Sequence, residues 1–226
     1  MVVAIQKTTL SDYPHTIASI LFFSGCNFRC PYCYNHELVL QTRPPLDIEY
    51  ALDELASRRK YIDGVVISGG EPTLDWRLKD ILAHIKHMGL QVKLDTNGSC
   101  PQVIQDLMEE SLIDYIAMDI KSDMDTYPAV AGVKMNISRI EESLDIILKG
   151  EIDYEFRTTV IPVFHTRKTF ENIGCRVKHA RMYFLQQFIP ERTLDPSFET
   201  VHPYPLETLR RFGAILEAHG CTVGIR

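Results

Sequence analysis

The strongest constraint on this chain is a repeat of form rather than of letters. Short apolar, β-rich runs alternate with longer amphipathic stretches about six times along its 226 residues. The runs Ile17–Phe23, Gly64–Ser68, Leu90–Asp95, Tyr115–Ile120, Tyr154–Val160 and Met182–Phe188 read as strands. The stretches Asp47–Arg59, Asp75–Met88, Pro101–Glu110, Ser138–Lys149, Arg167–His179 and Pro205–His219 read as helices, and Thr222–Ile225 as a short final strand. Pro101 and Pro205 suit first helical positions. Gly89 and Gly220 suit helix stops, and Asn136 or Ser138 suits a cap. Strand–helix alternation predicts an α/β fold with a parallel sheet and right-handed crossovers. Six units are too few for a closed eight-stranded barrel, so an open sheet or a partial barrel is expected, as one domain over residues 1–226. In either form, ligands bind at the carboxyl ends of the strands.

Composition narrows the function classes. The net charge of −6 offers no basic field for phosphate backbones, which argues against nucleic acid as a partner. The sequence shows no leader pattern at its start and no apolar run approaching 18 residues, so a cytoplasmic location away from membranes is expected. In a reducing compartment, its six cysteines read as thiols or metal ligands rather than disulfides.

Three of those cysteines, Cys26, Cys30 and Cys33, stand in GCNFRCPYCYN directly after the first expected strand. Structural zinc sites usually close on four ligands, often as two C-x2-C pairs, and no second pair follows. Three soft thiolates suit three irons of a 4Fe–4S cube whose fourth iron stays open. Three ordinary buried thiols, or a zinc site completed by His36, remain as alternatives. Cys100, Cys175 and Cys221 stand alone and read as small buried hydrophobes. Cys100 follows a strand end and could approach the cysteine loop.

Other chemistry-bearing residues fall at the expected carboxyl ends of strands. Gly69, Gly70, Glu71 and Pro72 follow the second, where paired glycines allow a sharp turn and a close backbone approach. Glu71 could meet an ammonium group, or serve as an ordinary first-turn helix acid. Alternation puts Lys93, Asp95 and Asn97 on one face of the third, with Asn97-Gly98 as a turn and a solvated Asp95 as the alternative. Asp119 and Lys121 share a face at the end of the fourth, as a site pair or a structural ion pair. Arg157 and Thr159 share one at the end of the fifth, and the sixth carries Gln186 and Gln187.

With these residues in view, C-x3-C-x-aromatic-C, with Tyr32 as the aromatic, resembles the signature of radical S-adenosylmethionine enzymes. The resemblance covers nearly the whole chain, through GVVISGGEPTL, VKLDTNGS, DYIAMDIKS, YEFRTTVIP and YFLQQFIPERTLDP. It is nearest to the activating proteins of anaerobic ribonucleoside-triphosphate reductases. The resemblance implies a partial six-stranded (β/α) barrel and a glycyl-radical-enzyme activase. Its cofactors would be a 4Fe–4S cluster on Cys26, Cys30 and Cys33, and S-adenosylmethionine. Tyr32 would lie near the adenine, and Gly69, Gly70 and Glu71 would meet the methionine amino group. Asp95, Asp119 and Lys121 would contact the methionine end or the ribose, and Arg157 and Gln187, by their place at strand carboxyl ends, are expected to line the same cofactor bowl. The implied partners are a glycyl radical enzyme, foremost the large subunit of an anaerobic ribonucleotide reductase, and a flavodoxin- or ferredoxin-type electron donor.

Two features depart from that group: Tyr34 follows the last cysteine where His is common, and His15 stands at a turn where Gly is expected. A third separates the chain from pyruvate formate-lyase activases, since Gln186–Gln187 replace their histidine-bearing sixth-strand motif. A radical enzyme acting on a purine-like small molecule would carry similar motifs, and a zinc-stabilised binding module is a third reading. His84 and His87 read as a solvated helix face, as does the acidic stretch Glu141–Asp145. His165 and Arg167 read as loop residues with no assigned chemistry.

Overall fold

The computed structural model describes all residues, 1–226. Its centre is one eight-stranded sheet: β1 (Val2–Thr9), β2 (Ala18–Phe23), β3 (Gly64–Gly69), β4 (Gln91–Thr96), β5 (Tyr115–Asp119), β6 (Asp153–Val160), β7 (Tyr183–Gln187) and β8 (Val223–Ile225). Spatial order follows chain order without exception. β1 lies antiparallel to β2, and every later pair is parallel. β1 and β8 do not pair with each other, so the sheet stays open. All seven expected strands are present within about a residue of their predicted bounds. β1 is an addition: as an edge strand with an exposed middle, it carries no clean alternation.

The helices are α1 (His36–Val39), α2 (Ile48–Arg58), α3 (Leu78–His87), α4 (Pro101–Glu109), α5 (Tyr127–Ala131), α6 (Ile137–Lys149), α7 (Arg167–Arg176) and α8 (Leu206–Ala218). Asp47 caps α2 by accepting from the Glu49 amide at 2.9 Å, and Asn136 caps α6 through the Ser138 amide at 3.1 Å. Pro101 opens α4 as its first residue. Pro205 is corrected to the cap position of α8, where its ψ of 148° is extended. The expected helix from Asp75 is also corrected. A 3-10 turn at Pro72–Leu74 comes first, and α3 starts at Leu78. Gly89 and Gly220 stop their helices with φ of 77° and 83°. His15 has φ of 58°, so the turn does adopt the glycine-type conformation expected of it.

The parallel strands bury one face against helices. Leu94, Ile116, Met118, Phe156 and Leu185 pack there with Ile81, Leu107, Leu144, Ile173 and Leu209 in a single apolar core. The registers Asp95↔Ala117, Asp119↔Arg157 and Thr159↔Gln186 place the alternate residues on the opposite face. A small apolar group of Tyr13, Ala18, Ile20 and Val66 fills one end of that face, and charged side chains occupy the rest. No helix is long and apolar enough to cross a membrane.

Candidate active site

The cysteine loop leaves β2 and is held by segments from across the chain. The Gly25 amide donates to Leu38 O at 2.8 Å, and the Arg29 amide to Ala131 O at 2.8 Å. The Asp195 amide reaches Pro31 O at 2.8 Å, and the Leu194 amide reaches Cys33 O at 2.9 Å. The glycine pair after β3 docks on the same loop. The Gly70 amide donates to Phe23 O and the Glu71 amide to Gly25 O, each at 2.8 Å. A Cβ on Gly69 would strike the Phe23 backbone, and one on Gly70 the Gly25 carbonyl. Glycine is therefore required at both positions for backbone to meet backbone.

Cys26, Cys30 and Cys33 are all free thiols. Burial pushes each thiol above its ordinary value, Cys30 to about 11. For Cys26 and Cys30, the neighbouring cysteines add to that rise, while Lys121 opposes it. Such a set stays neutral until cations arrive to stabilise thiolate, which fits a cationic iron cluster. N–H groups also point at the sulfur of Cys26, from the Phe28 amide at 3.3 Å and the Asn97 side chain at 3.8 Å. Soft donors ringed by N–H groups match the needs of an iron–sulfur centre. No three His, Cys, Asp or Glu side chains converge as the ligands of a single ion would. His36 turns its Nδ1 to the Arg192 carbonyl at 3.1 Å.

Glu71 caps the 3-10 turn that follows it. It is 2% exposed and already accepts four hydrogen bonds. The Thr73 amide and hydroxyl bond Oε1 at 3.1 and 2.5 Å, the Thr96 hydroxyl bonds Oε1 at 2.9 Å, and the Asn97 amide bonds Oε2 at 2.6 Å. Burial pushes its pKa up and these donors pull against that rise. Glu71 thus staples the ends of β3 and β4 together. The Gly70 carbonyl beside it accepts no hydrogen bond within the chain.

The charged face brings together the other predicted residues. Lys93 meets Asp95 at 2.5 Å, and Ser68 donates to Asp95 at 3.0 Å. Arg157 reaches Asp119 through Nε at 2.9 Å and Asp95 through Nη1 at 3.5 Å. Lys121 closes on Asp119 at 3.0 Å. Further along the face, Glu155 is fully buried under a two-pronged contact from Arg226 at 3.0 and 3.1 Å. Burial pushes Asp119 and Asp95 up, but Arg157 with Lys121 or Lys93 more than offsets it and holds both below the usual carboxylate range. Burial lowers Lys121, but Asp119, Tyr32 and Cys30 raise it further, so it stays charged. Three side-chain carboxylates, Asp95, Asp119 and Glu155, here face four side-chain cations, Lys93, Lys121, Arg157 and Arg226.

Tyr32 is buried, with its ring 6.4 Å from that of Phe164. Gln187 is a correction. It pairs with Val160, so it faces the helices, where its Nε2 donates to Tyr204 O at 3.2 Å. Gln186, paired with Thr159, is the glutamine on the charged face.

His165 is a residue the sequence left without a role. It is fully buried, and its Nδ1 accepts the Ile161 amide at 2.8 Å. The proton therefore sits on Nε2, which donates to Lys121 O at 2.8 Å. With Tyr127 on Asp119 O and Thr158 on Ile120 O, it fixes the backbone that carries Asp119 and Lys121. No sequence motif signals such a contact across 44 residues.

The sequence model of the Radical SAM superfamily matches residues 20–173. The chain belongs to the radical SAM superfamily. A Methanocaldococcus jannaschii protein with the provisional name glycyl-radical enzyme activating enzyme is 33% identical over 100% of this chain and 95% of its own length. The pyruvate formate-lyase-activating enzyme of Clostridium pasteurianum is 32% identical over 84% of this chain and 82% of its own. Among solved structures, Streptococcus suis SuiB bound to S-adenosylmethionine shares the fold. It has a TM-score of 0.69 and 14% identity, over 92% of this chain and 51% of that one. This chain is accordingly a radical SAM enzyme, and its family implies a 4Fe–4S cluster and S-adenosylmethionine as cofactors.

Proposed function

We propose that this radical SAM enzyme activates a glycyl radical enzyme by removing a Cα hydrogen from one glycine of that partner. The observation that carries this reading is the direct hydrogen bonding of the cysteine loop, through Gly70 and Glu71, to strand ends bearing a charged ligand face. Relatives that carry the activase name support a glycyl radical enzyme as the partner. The anaerobic ribonucleotide reductase large subunit is the partner we favour, with a flavodoxin- or ferredoxin-type electron donor.

In this reading, Cys26, Cys30 and Cys33 hold three irons of the cluster. When bound, the cluster and S-adenosylmethionine supply a 5′-deoxyadenosyl radical through one-electron cleavage of the sulfonium. The chain's own residues bind and orient. The free Gly70 carbonyl and the remaining acceptor capacity of Glu71 Oε2 receive the methionine ammonium, and Lys121 and Arg157 receive its carboxylate. Asp95 and Asp119 hold those cations in place and face the ribose end, with Tyr32 beside the adenine. Residues 1–226 work as one domain in doing so.

The test is anaerobic reconstitution, followed by incubation with a glycyl radical enzyme, S-adenosylmethionine and a reductant. A glycyl doublet in the electron-spin spectrum is expected. Its absence, with a loaded cluster and a competent partner, overturns activation. Cys30→Ala is expected to keep the fold and lose both iron and cofactor cleavage. Lys121→Ala is expected to weaken cofactor binding about tenfold, on the scale of one lost charged hydrogen bond. An unchanged dissociation constant would remove Lys121 from the site.

A further inference from the structure

We propose that Asn97 is a positioning residue that aims an amide N–H at Cys26 and so raises the reduction potential of the cluster bound there. The proposal rests on the iron–sulfur reading above and concerns how this chain tunes that centre. The Asn97 carboxamide is 5% exposed and its orientation is fixed from both ends. Oδ1 accepts the Ser99 amide at 2.9 Å. Nδ2 donates one hydrogen to Asn27 Oδ1 at 2.9 Å, and the other points to Cys26 Sγ at 3.8 Å. Asn27 cannot turn over either, because its own Nδ2 donates to Ser99 Oγ at 2.9 Å. The Asn97 main chain is anchored as well, by its 2.6 Å bond to Glu71 Oε2. Rotating the Asn97 amide would set oxygen against oxygen at Asn27 and N–H against N–H at Ser99, so the donor faces the sulfur.

Reduction adds negative charge to a cluster and its thiolates. An N–H dipole held against one sulfur stabilises the reduced form more than the oxidised form. The donor is pre-aligned by Glu71, Asn27 and Ser99, which hold the amide from three sides. In the sequence, Asn97 read as half of an Asn-Gly turn, and Gly98, with φ of 75°, does form that turn. The side chain has this second task.

The experiment is a redox titration of the reconstituted holoprotein, followed by the electron-spin signal of the reduced cluster. Asn97→Asp keeps the size and the acceptor for Ser99 but replaces the N–H with an anionic oxygen. At the poise where the natural protein is half reduced, this variant is expected to show at least a tenfold lower ratio of reduced to oxidised cluster. That ratio corresponds to a midpoint about 59 mV more negative for a one-electron couple. Asn97→Ala, which removes the donor without adding charge, should shift the same way by less. Unmoved potentials in both variants, with iron content equal to the natural protein, overturn the tuning role. A variant that folds but cannot retain four irons also overturns it, since Asn97 would then be holding the loop together. Failure of the natural protein to form a 4Fe–4S centre is a different result, and defeats the underlying reading instead.

Discussion

The two faces of strands β4 to β7 differ by a single step along the chain, yet different physics governs each. On one face, Leu94, Ile116, Met118, Phe156 and Leu185 are fully buried against helices. Each large apolar side chain there contributes about 1.5–3 kcal/mol by leaving water. On the other face, Lys93, Asp95, Asp119, Glu155 and Arg157 form a network whose Coulomb gain is largely offset by desolvation. The apolar parity holds the sheet to its helices. The charged parity adds little net stability and gathers cations and carboxylates at the strand ends.

Phe156→Ala gives the largest expected effect. It should cost about 3–5 kcal/mol, equally at pH 5 and pH 8, because no charge changes. Arg157→Met, one residue away, should cost about 3 kcal/mol at pH 8, because it removes the cation that Asp95 and Asp119 share and leaves each with one lysine. Both carboxyls then lose the largest of the charges that hold them low, and their folded-state pKa values rise. The Arg157→Met deficit should therefore shrink as pH falls through the carboxylate range and the acids take up protons. Denaturant titrations at the two pH values check the contrast, and matching pH profiles for the two variants would break it.

His165 links the backbones beneath both faces and sharpens the comparison with one titrating group. Burial pushes its pKa down to about 4 from an ordinary 6.5. Between those values the unfolded chain binds a proton that the folded chain refuses, so stability falls as acid is added. The full loss, complete below pH 4, is roughly 3 kcal/mol. His165→Asn should flatten that segment of the stability–pH curve, and an unaltered slope would show that another group titrates there. The smallest effects belong to the paired glutamines. Gln187→Leu loses one bond to the Tyr204 carbonyl, about 1 kcal/mol, and should leave cofactor affinity unchanged. Gln186→Leu should leave stability within about 0.5 kcal/mol and weaken the cofactor. Reversed outcomes would mean that the two faces are misassigned.

Much of this was legible before any coordinates, and for physical reasons. Period-two alternation put Asp95, Asp119, Lys121 and Arg157 on common faces, and the sheet register does join them. The thiol spacing marked the cysteine loop without reference to fold. What escaped lies where local pattern stops carrying information. Gln186 and Gln187 are identical neighbours, so only the pairing of Thr159 with Gln186 tells which one faces the charges. The clasp of Glu71 on Thr96 and Asn97 left no local trace because those partners lie 25 and 26 residues away. His165 gave no signal because it grips backbone, which has no sequence identity. β1 passed unseen because an edge strand need not alternate.

Strand order that follows chain order means each new strand can join the sheet as the chain leaves the ribosome. The loop of three thiols lies early in the sequence, but its clamps do not. Arg29 waits for Ala131, and Pro31 and Cys33 wait for Asp195 and Leu194. Leu194 and Asp195 follow β7 closely and precede β8, so the socket is completed late, after all the strands but one have been made. A chain truncated before Leu194 lacks two of the clamps on the thiol loop and should hold iron poorly.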